Sequence, residues 1–480
     1  MNWTDEAILS GVIPEFRALS ARPHGSGREA AQRDWLSQRL AALGGTTERD
    51  PAGNLKADFP ATPGLEQRPL LMVQGHMDMV CAVLPGGDFR PEEDPVTVVE
   101  EDDFLKSDGR SSLGADNGLA IAVLLWLLEQ KTPHGPLRVL LTVSEEVGLR
   151  GAMEVDKSWL ADGACLINMD GFQGSTAVVS SASGTREHWT RPLALQRRSK
   201  SWAFRLALDG FAGGHSGFDI DKGRANPIQL LAGFLKGAGV EVAELTGGHS
   251  FNAIPMSAGA LVVADDPEAF QAAAGRWADR WRADYAETDP EGRLTVTAEP
   301  LPRKVWKGGG QTAILDFLAR LTIGAASAGE DGQVLASANL GQVWAEDGVF
   351  HAAAFIRGND PEKETEVRRA HIVLSLWNDF TGEVERYPGW PGGRSNRLGQ
   401  ALSRLSEAQN GRPLALSALH VGLEPAVFLE KNPKLVMASI GPDILDAHSV
   451  SERVPLASIP PFVRLLAGAL EDEGCCSSFS

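Results

Sequence analysis

Five positions along the chain place cation-binding or proton-moving side chains where an apolar segment meets polar sequence. The run 69–80 is apolar in its first half and turns polar at His76 and Asp78. Residues 137–144 close on the adjacent pair Glu145-Glu146, residues 164–169 close on Asp170, and residues 434–440 lead through a short loop to His448. Asp116 sits in Leu113-Gly114-Ala115-Asp116-Asn117-Gly118, directly ahead of the apolar run 119–128. Taken alone, Asp116 reads as a helix N-cap, since Asp accepts hydrogen bonds from the first free N–H groups of a helix. The other four positions favour a different role. Adjacent carboxylates repel, and only Arg150 stands near Glu145 and Glu146 in sequence, so a bound cation is the simplest neutraliser. Two histidines, several carboxylates and no cysteine form a donor set that suits zinc, manganese or cobalt.

The elements that must position these residues follow from the same runs. Continuous apolar stretches read as strands covered on both faces. They alternate with helices such as residues 30–43, where Trp35, Leu36, Leu40 and Leu43 recur at helical spacing. In open α/β sheets, sites lie outside the carboxyl ends of the strands, where His76, Glu145-Glu146, Asp170 and the approach to His448 all fall. The helix behind Asp116 is too apolar for a surface position and must be buried.

Between about residues 184 and 389 the pattern changes. Strand-like 200–208, a helix through 228–235, strands near 240–245 and 258–263, a helix over 267–285 and a strand over 293–298 give a β-α-β-β-α-β order. A looser second pass follows: helix 311–321, strands 333–343 and 349–357, helix 362–378 and strand 382–387. The expected fold is α/β. It has a catalytic domain with a mixed sheet in two segments (residues 1–183 and 391–480) and an inserted α+β lid of ferredoxin-like halves over residues 184–390.

Composition narrows the functional classes. With 480 residues there is room for two or three domains, each with its own core. A formal charge of −18 without a block of Lys or Arg argues against nucleic acid and anionic membrane surfaces as partners. No apolar run approaches the ~20 residues needed to span a bilayer, and Met1-Asn2-Trp3-Thr4-Asp5-Glu6 carries no secretory signal pattern. Cys81, Cys165 and the pair Cys475-Cys476 do not form a disulfide framework, so the cytoplasm is the expected location. The Cys475-Cys476 tail reads as a frayed terminus, with a metal- or oxidation-sensitive end as the second reading.

The motifs Gly75-His76-Met77-Asp78, Leu113 to Gly118, Thr142 to Gly148, Asn168-Met169-Asp170, Gly213-Gly214-His215-Ser216-Gly217, Asn252-Ala253-Ile254-Pro255, Tyr387-Pro388-Gly389-Trp390, His420-Val421-Gly422-Leu423-Glu424 and Ser439-Ile440-Gly441-Pro442 with His448-Ser449 occur in order over nearly the whole chain. Together they resemble the aminoacyl-histidine dipeptidases, also called cytosol non-specific or β-alanyl-histidine dipeptidases, a branch of the two-zinc peptidases. The resemblance implies that His76, Asp116 and Asp170 hold one zinc and that Asp116, Glu146 and His448 hold the other. It further implies Glu145 as general base, Asp78 as the carboxylate that fixes His76, His215 as donor to the oxyanion, and a cis peptide between Asp116 and Asn117. An Asp at position 170 goes with the aminopeptidase- and dipeptidase-like members. Two departures, the less acidic Gly171-Phe172-Gln173-Gly174 and Pro425 where a Cys is usual, lie near the expected substrate pocket.

The residues themselves fit that scheme. Neighbours in an extended segment point to opposite sides, so Glu146 can bind metal while Glu145 stays unligated. Asp78, two residues after His76, falls on the same side of the strand and can accept the imidazole's other N–H. Arg357 offers a fork that, with Asn252, can grip a substrate carboxylate. Glu424 is a candidate reader of the substrate ammonium, and His420 a candidate for lining the same pocket. His24, His134, His188, His249, His351 and His371 are expected to be structural or exposed. The expected activity is hydrolysis of unblocked dipeptides of the Xaa-His type, β-Ala-His and broader sets included, by a homodimer joined through the lid. The ions would be two Zn2+, with Co2+ or Mn2+ as substitutes. An N-acyl amino-acid deacylase or metallocarboxypeptidase on the same site, and a catalytically silent metal-binding homologue, stay open as alternatives.

Overall fold

The computed structural model describes residues 3–84, 86–330 and 332–472. Cys475 and Cys476 lie outside the described residues. The chain separates into two compact units. The first holds the residues up to Ser181, Trp390–Leu419 and those from Leu423 onward; the second holds Ala182–Gly389 and His420–Gly422. The expectation of an unbroken second catalytic segment therefore fails at one place. His420–Gly422 belongs with the inserted unit, where the Ala182 N–H donates to the Val421 carbonyl.

The first unit is built on an eight-stranded mixed sheet. Its order is Thr46–Arg49, Leu55–Phe59, Leu137–Thr142, Leu71–His76, Cys165–Asn168, Val436–Ser439, Thr176–Ser181, Ala415–Leu419. Leu137–Thr142, Leu71–His76, Cys165–Asn168 and Val436–Ser439 run parallel, and every residue of Leu71–His76 and Leu137–Thr142 is buried. Register does the positioning: His76 pairs with Thr142, Gln74 with Asn168, and Asn168 with Ser439. The four carboxyl ends thus emerge at one edge, with the segments carrying Glu145, Asp170 and His448 just beyond. The central expected strand 137–144 ends earlier, at Thr142, because Ser144 takes a left-handed φ of 52° and starts a turn.

The helix Ala115–Glu129 is buried from Ala115 to Leu128, as its apolar sequence requires. It packs on the helix Asp5–Ser20, and a Cβ at Gly118 would come within 3.1 Å of Leu19 and 3.2 Å of Phe16, so a side chain there would force the two helices apart. Cys165 is fully buried in its strand, and Cys81 is free. Among the described residues no helix is long and apolar enough to cross a membrane.

The second unit carries a nine-stranded antiparallel sheet. Arg293–Glu299, Trp202–Asp209, Ala258–Ala264 and Glu241–Gly247 lie in the order fourth, first, third, second of a β-α-β-β-α-β unit. The same order then repeats in mirror image as Val334–Glu346, Val349–Gly358, Ser183–Pro192 and Thr381–Tyr387. The second half looked incomplete in sequence because its first strand, Ser183–Pro192, precedes the whole first half. Inside this unit His371 places Nδ1 2.6 Å from a Glu187 carboxylate oxygen and Nε2 2.8 Å from the Thr322 carbonyl, both residues fully buried. This histidine ties the helix Pro361–Trp377 to the sheet, a structural role. The outer face of that helix is charged in its first half and apolar yet open toward its C-terminus. Leu376 is 68% and Trp377 71% exposed, beside the half-exposed Ile372 and Val373.

Candidate metal centre

Asp116 stands at the mouth of its helix with non-helical φ and ψ of −81° and 106°, and its peptide bond to Asn117 is cis, as expected. Its carboxylate is buried and divides itself between two histidines. Oδ1 lies 3.0 Å from His76 Nε2, and Oδ2 lies 3.0 Å from His448 Nε2. Around these pairs, Asp170 Oδ1 is 3.8 Å from His76 Nε2 and Glu146 Oε1 is 3.1 Å from His448 Nε2. One ligand atom each from His76, Asp116 and Glu146 fits within a 4.8 Å span. Close approach at this edge depends on Gly75, where a Cβ would fall 2.2 Å from Asn117 Oδ1.

The charge balance is lopsided. Among the described residues the ion pairs of Asp116, Glu146 and Asp170 run only to His76 and His448. Burial, with the Asp116 charge adding to it, pushes both Glu146 and Asp170 up to about 7. Burial also drives Glu145 well above the ordinary carboxylate range, with Glu146 and Asp170 adding to the effect against His76. For Asp116 burial works the same way, but its bonds to His448 and His76 outweigh it and hold the carboxyl below its usual value. Glu146 Oε1 is buried and accepts no well-formed hydrogen bond. Clustered carboxylates, two imidazoles aimed at them and no Lys or Arg fit divalent cations better than any internal ion-pair scheme.

Asp78 does more than stand beside His76. The His76 Nδ1–H donates to the Asp78 main-chain carbonyl at 3.0 Å, while the nearer carboxylate oxygen stands at 3.6 Å. The carboxylate instead accepts from the backbone N–H groups of Glu145 (3.0 Å) and Glu146 (3.2 Å) and from the Ser26 hydroxyl (2.8 Å). It therefore aims the two glutamates, which leave the strand through a turn closed by Gly148 and Leu149 N–H groups on the Glu145 carbonyl. The extended-strand rationale for their divergence is replaced by this turn.

Glu424 is also corrected. It has no solvent exposure, and its Oε2 accepts from Gln74 and, at 3.0 Å, from Thr142 Oγ1. Gln74 in turn accepts from Asn168 at 2.7 Å, and Asn168 accepts from the Asp170 N–H at 3.2 Å. The helix Glu424–Lys431 tucks this carboxylate beneath the strand ends, so it braces the ligand-bearing strands and is not open to a substrate ammonium. Sequence reasoning missed Glu452 entirely. It is buried and accepts from the N–H groups of Leu113, Gly114, Ala115 and Asp116, so it, and not Asp116, serves the free donors at the head of the helix.

The second unit gathers another set. Arg357 is buried at 4% exposure; it donates to Tyr387 Oη (3.1 Å) and Ser216 Oγ (3.3 Å), its Nε has no partner, and no carboxylate pairs with it among the described residues. His215 Nδ1 accepts from the Gly217 and Phe218 N–H groups at 3.2 and 3.3 Å, which puts the ring proton on Nε2. That nitrogen lies 3.4 Å from Arg357 Nη2, so the two nitrogens stand side by side. His420 is held between Asn359 Oδ1 and Ser337 Oγ, and burial followed by the Arg357 charge pushes it down to about 3, so it stays neutral. Asn252 accepts from Ser250 through its side chain and from the Ser216 N–H through its carbonyl, bracing the His215 loop.

Parallel strand ends that gather two histidines around one carboxylate, in a unit interrupted by an α+β insertion, define a metallohydrolase. The chain belongs to peptidase family M20/M25/M40, whose profile matches residues 72–472. It is 28% identical to the cytosol non-specific dipeptidase of Escherichia coli (strain K12), over 97% of this chain and 99% of that one. Among solved structures it is similar to aminoacylhistidine dipeptidase from Vibrio alginolyticus, with a TM-score of 0.82, 26% identity and 96% of each chain covered. Aminopeptidase PepT from Bacillus cereus shares the fold at a TM-score of 0.60 and 16% identity, over 97% of this chain and 98% of that one.

Proposed function

We propose that the protein is a two-metal dipeptidase acting on unblocked dipeptides, with zinc as its metal and cobalt or manganese as substitutes. One observation carries the reading: the two oxygens of Asp116 face different histidines, each at 3.0 Å, as a carboxylate shared between two cations must. His76, Asp116 and Asp170 would hold one ion, and Asp116, Glu146 and His448 the other. When bound, the ions lower the pKa of water and polarise the scissile carbonyl. Glu145 takes the proton released as the water oxygen joins the carbonyl carbon. It returns that proton to the amine nitrogen as the C–N bond breaks. Burial and like-charged neighbours raise its proton affinity, which suits a group that must accept and then donate. Arg357 receives the substrate's C-terminal carboxylate, the His215 Nε2–H supports the oxyanion, and Asn252 and neutral His420 keep that pair in place.

The test is a panel of free and N-acetylated dipeptides, β-Ala-His and non-histidine pairs included, before and after chelation. Free dipeptides are hydrolysed, blocked ones are not, and chelation abolishes turnover. Cleavage of acetylated substrates alone would transfer the protein to the deacylases, and no turnover of any substrate would make it a silent binder. The cytosolic designation of the Escherichia coli relative supports a cytoplasmic location.

We further infer a homodimer joined through the second unit. Thr381–Tyr387 is an edge strand, and next to it in sequence Leu376 and Trp377 are two-thirds or more exposed on an otherwise amphipathic helix. Leu376→Glu combined with Trp377→Glu converts the dimer to a monomer in light scattering while the far-UV spectrum stays that of the wild type. An unchanged mass for the double variant, or a monomeric wild type, rules this interface out.

A further inference from the structure

The loop that carries Asp116 owes its shape to a residue 336 positions away in sequence. Glu452 Oε2 accepts from the N–H groups of Leu113 (2.9 Å) and Gly114 (3.0 Å), and Oε1 from those of Ala115 (2.9 Å) and Asp116 (3.3 Å). One carboxylate thus serves four successive backbone donors at the head of a buried helix. Gly114, at the N-cap position, makes no side-chain capping bond of its own. The arrangement fixes the loop backbone, and with it the position of the Asp116 Cα, at both carboxylate oxygens.

Glu452 arrives on the same short segment as His448. Leu445 and Arg453 exchange backbone hydrogen bonds at 2.9 and 3.0 Å, closing a loop that is further held by an Arg453–Asp446 ion pair and a Ser449 Oγ bond to the Asp446 carbonyl at 2.7 Å. Asp446 and His448 both adopt left-handed φ, 52° and 63°, which this closed loop imposes on them. Arg453–Pro455 then pairs with Phe104–Ser107, which anchors the loop to the first unit. One closed loop therefore presents the imidazole that faces Asp116 Oδ2 and the carboxylate that grips the Asp116 backbone.

We propose that Glu452 is the positioning residue of the metal centre: it sets the Asp116 carboxylate so that each oxygen faces a different cation site. The proposal rests on the two-ion reading of the cluster. Its consequence is specific to shared occupancy. Loss of the grip lets Asp116 follow one histidine, so one ion is retained and the other is lost or weakened.

The experiment compares wild type, Glu452→Gln and Glu452→Asp, each stripped and titrated with Zn2+ by calorimetry, with bound metal counted after gel filtration. Gln keeps one acceptor oxygen and turns an NH2 group toward two N–H donors; Asp keeps both oxygens on a shorter stem. Wild type takes two equivalents. Glu452→Gln takes the first with wild-type affinity and the second ~10–100-fold more weakly, the usual cost of losing a residue that orients a ligand. Glu452→Asp recovers part of that loss. In the variants kcat on a free dipeptide falls with second-site occupancy while KM stays near the wild-type value. Two tight equivalents in folded Glu452→Gln, or a lowered melting temperature with unchanged zinc affinities, would reduce Glu452 to a helix cap. Failure of the wild type itself to bind two ions would instead sink the two-ion reading.

Discussion

Glu145→Gln lowers kcat by ~10²–10⁴-fold, the contribution of a positioned proton carrier, and leaves both metal equivalents in place. The reason is the division of labour set by Asp78. Its carboxylate holds the N–H groups of Glu145 and Glu146 side by side, yet of the two, among the described residues, it is Glu146 that forms an ion pair with a histidine, at 3.1 Å from His448 Nε2. Gln preserves volume and keeps an acceptor oxygen, so the turn closed on the Glu145 carbonyl is undisturbed. It also removes one of several buried like charges, so stability is retained or rises. The pairing of outcomes is what matters: turnover collapses while metal content and melting temperature do not. Glu145→Gln with normal turnover would remove Glu145 from the chemistry.

Arg357→Met produces the second large effect, and it has two opposite signs. A charged hydrogen bond contributes ~1.5–3 kcal/mol, so loss of a two-pronged grip lowers kcat/KM for a free dipeptide by ~10²-fold or more. The same substitution raises the melting temperature. Arg357 is buried against Phe355, whose ring centre lies 4.6 Å below the guanidinium, and burial already pulls its pKa down. A buried cation held only by hydroxyl acceptors costs stability that an apolar side chain of similar length recovers. Small carboxylates such as acetate stabilise the wild type by binding the folded state and leave Arg357→Met unaffected. A variant that melts lower with unaltered kcat/KM would make Arg357 a structural residue.

Much of the first unit could be read from the chain because its parallel strands are continuous apolar runs. Where each run stops, the next residues must lie at the sheet edge. That reasoning brings His76, Glu146, Asp170 and His448 to one edge, and the contrast between one carboxylate and the apolar helix behind it singles out Asp116. What escaped was tertiary in origin. Nothing near Glu452 in sequence marks it as the acceptor for N–H groups at 113–116, since the pairing exists only once the loop after His448 has closed. Glu424 has the composition of a surface residue and is buried by the partners Gln74 and Thr142 supply. Asp78 lies on the expected side of its strand, but the carbonyl of its own backbone reaches the imidazole first. Ser183–Pro192 is not legible as a lid strand because its partners, Val349–Gly358 and Thr381–Tyr387, lie far along the chain.

The central claim, one carboxylate shared between two catalytic cations, is tested most directly by returning Zn2+ to the stripped protein while counting bound metal and following hydrolysis of a free dipeptide. Two equivalents are expected to bind per chain, with full activity only as the second site fills and loss of both equivalents in Asp116→Ala. A single equivalent at full activity, or two equivalents retained by Asp116→Ala, would contradict it.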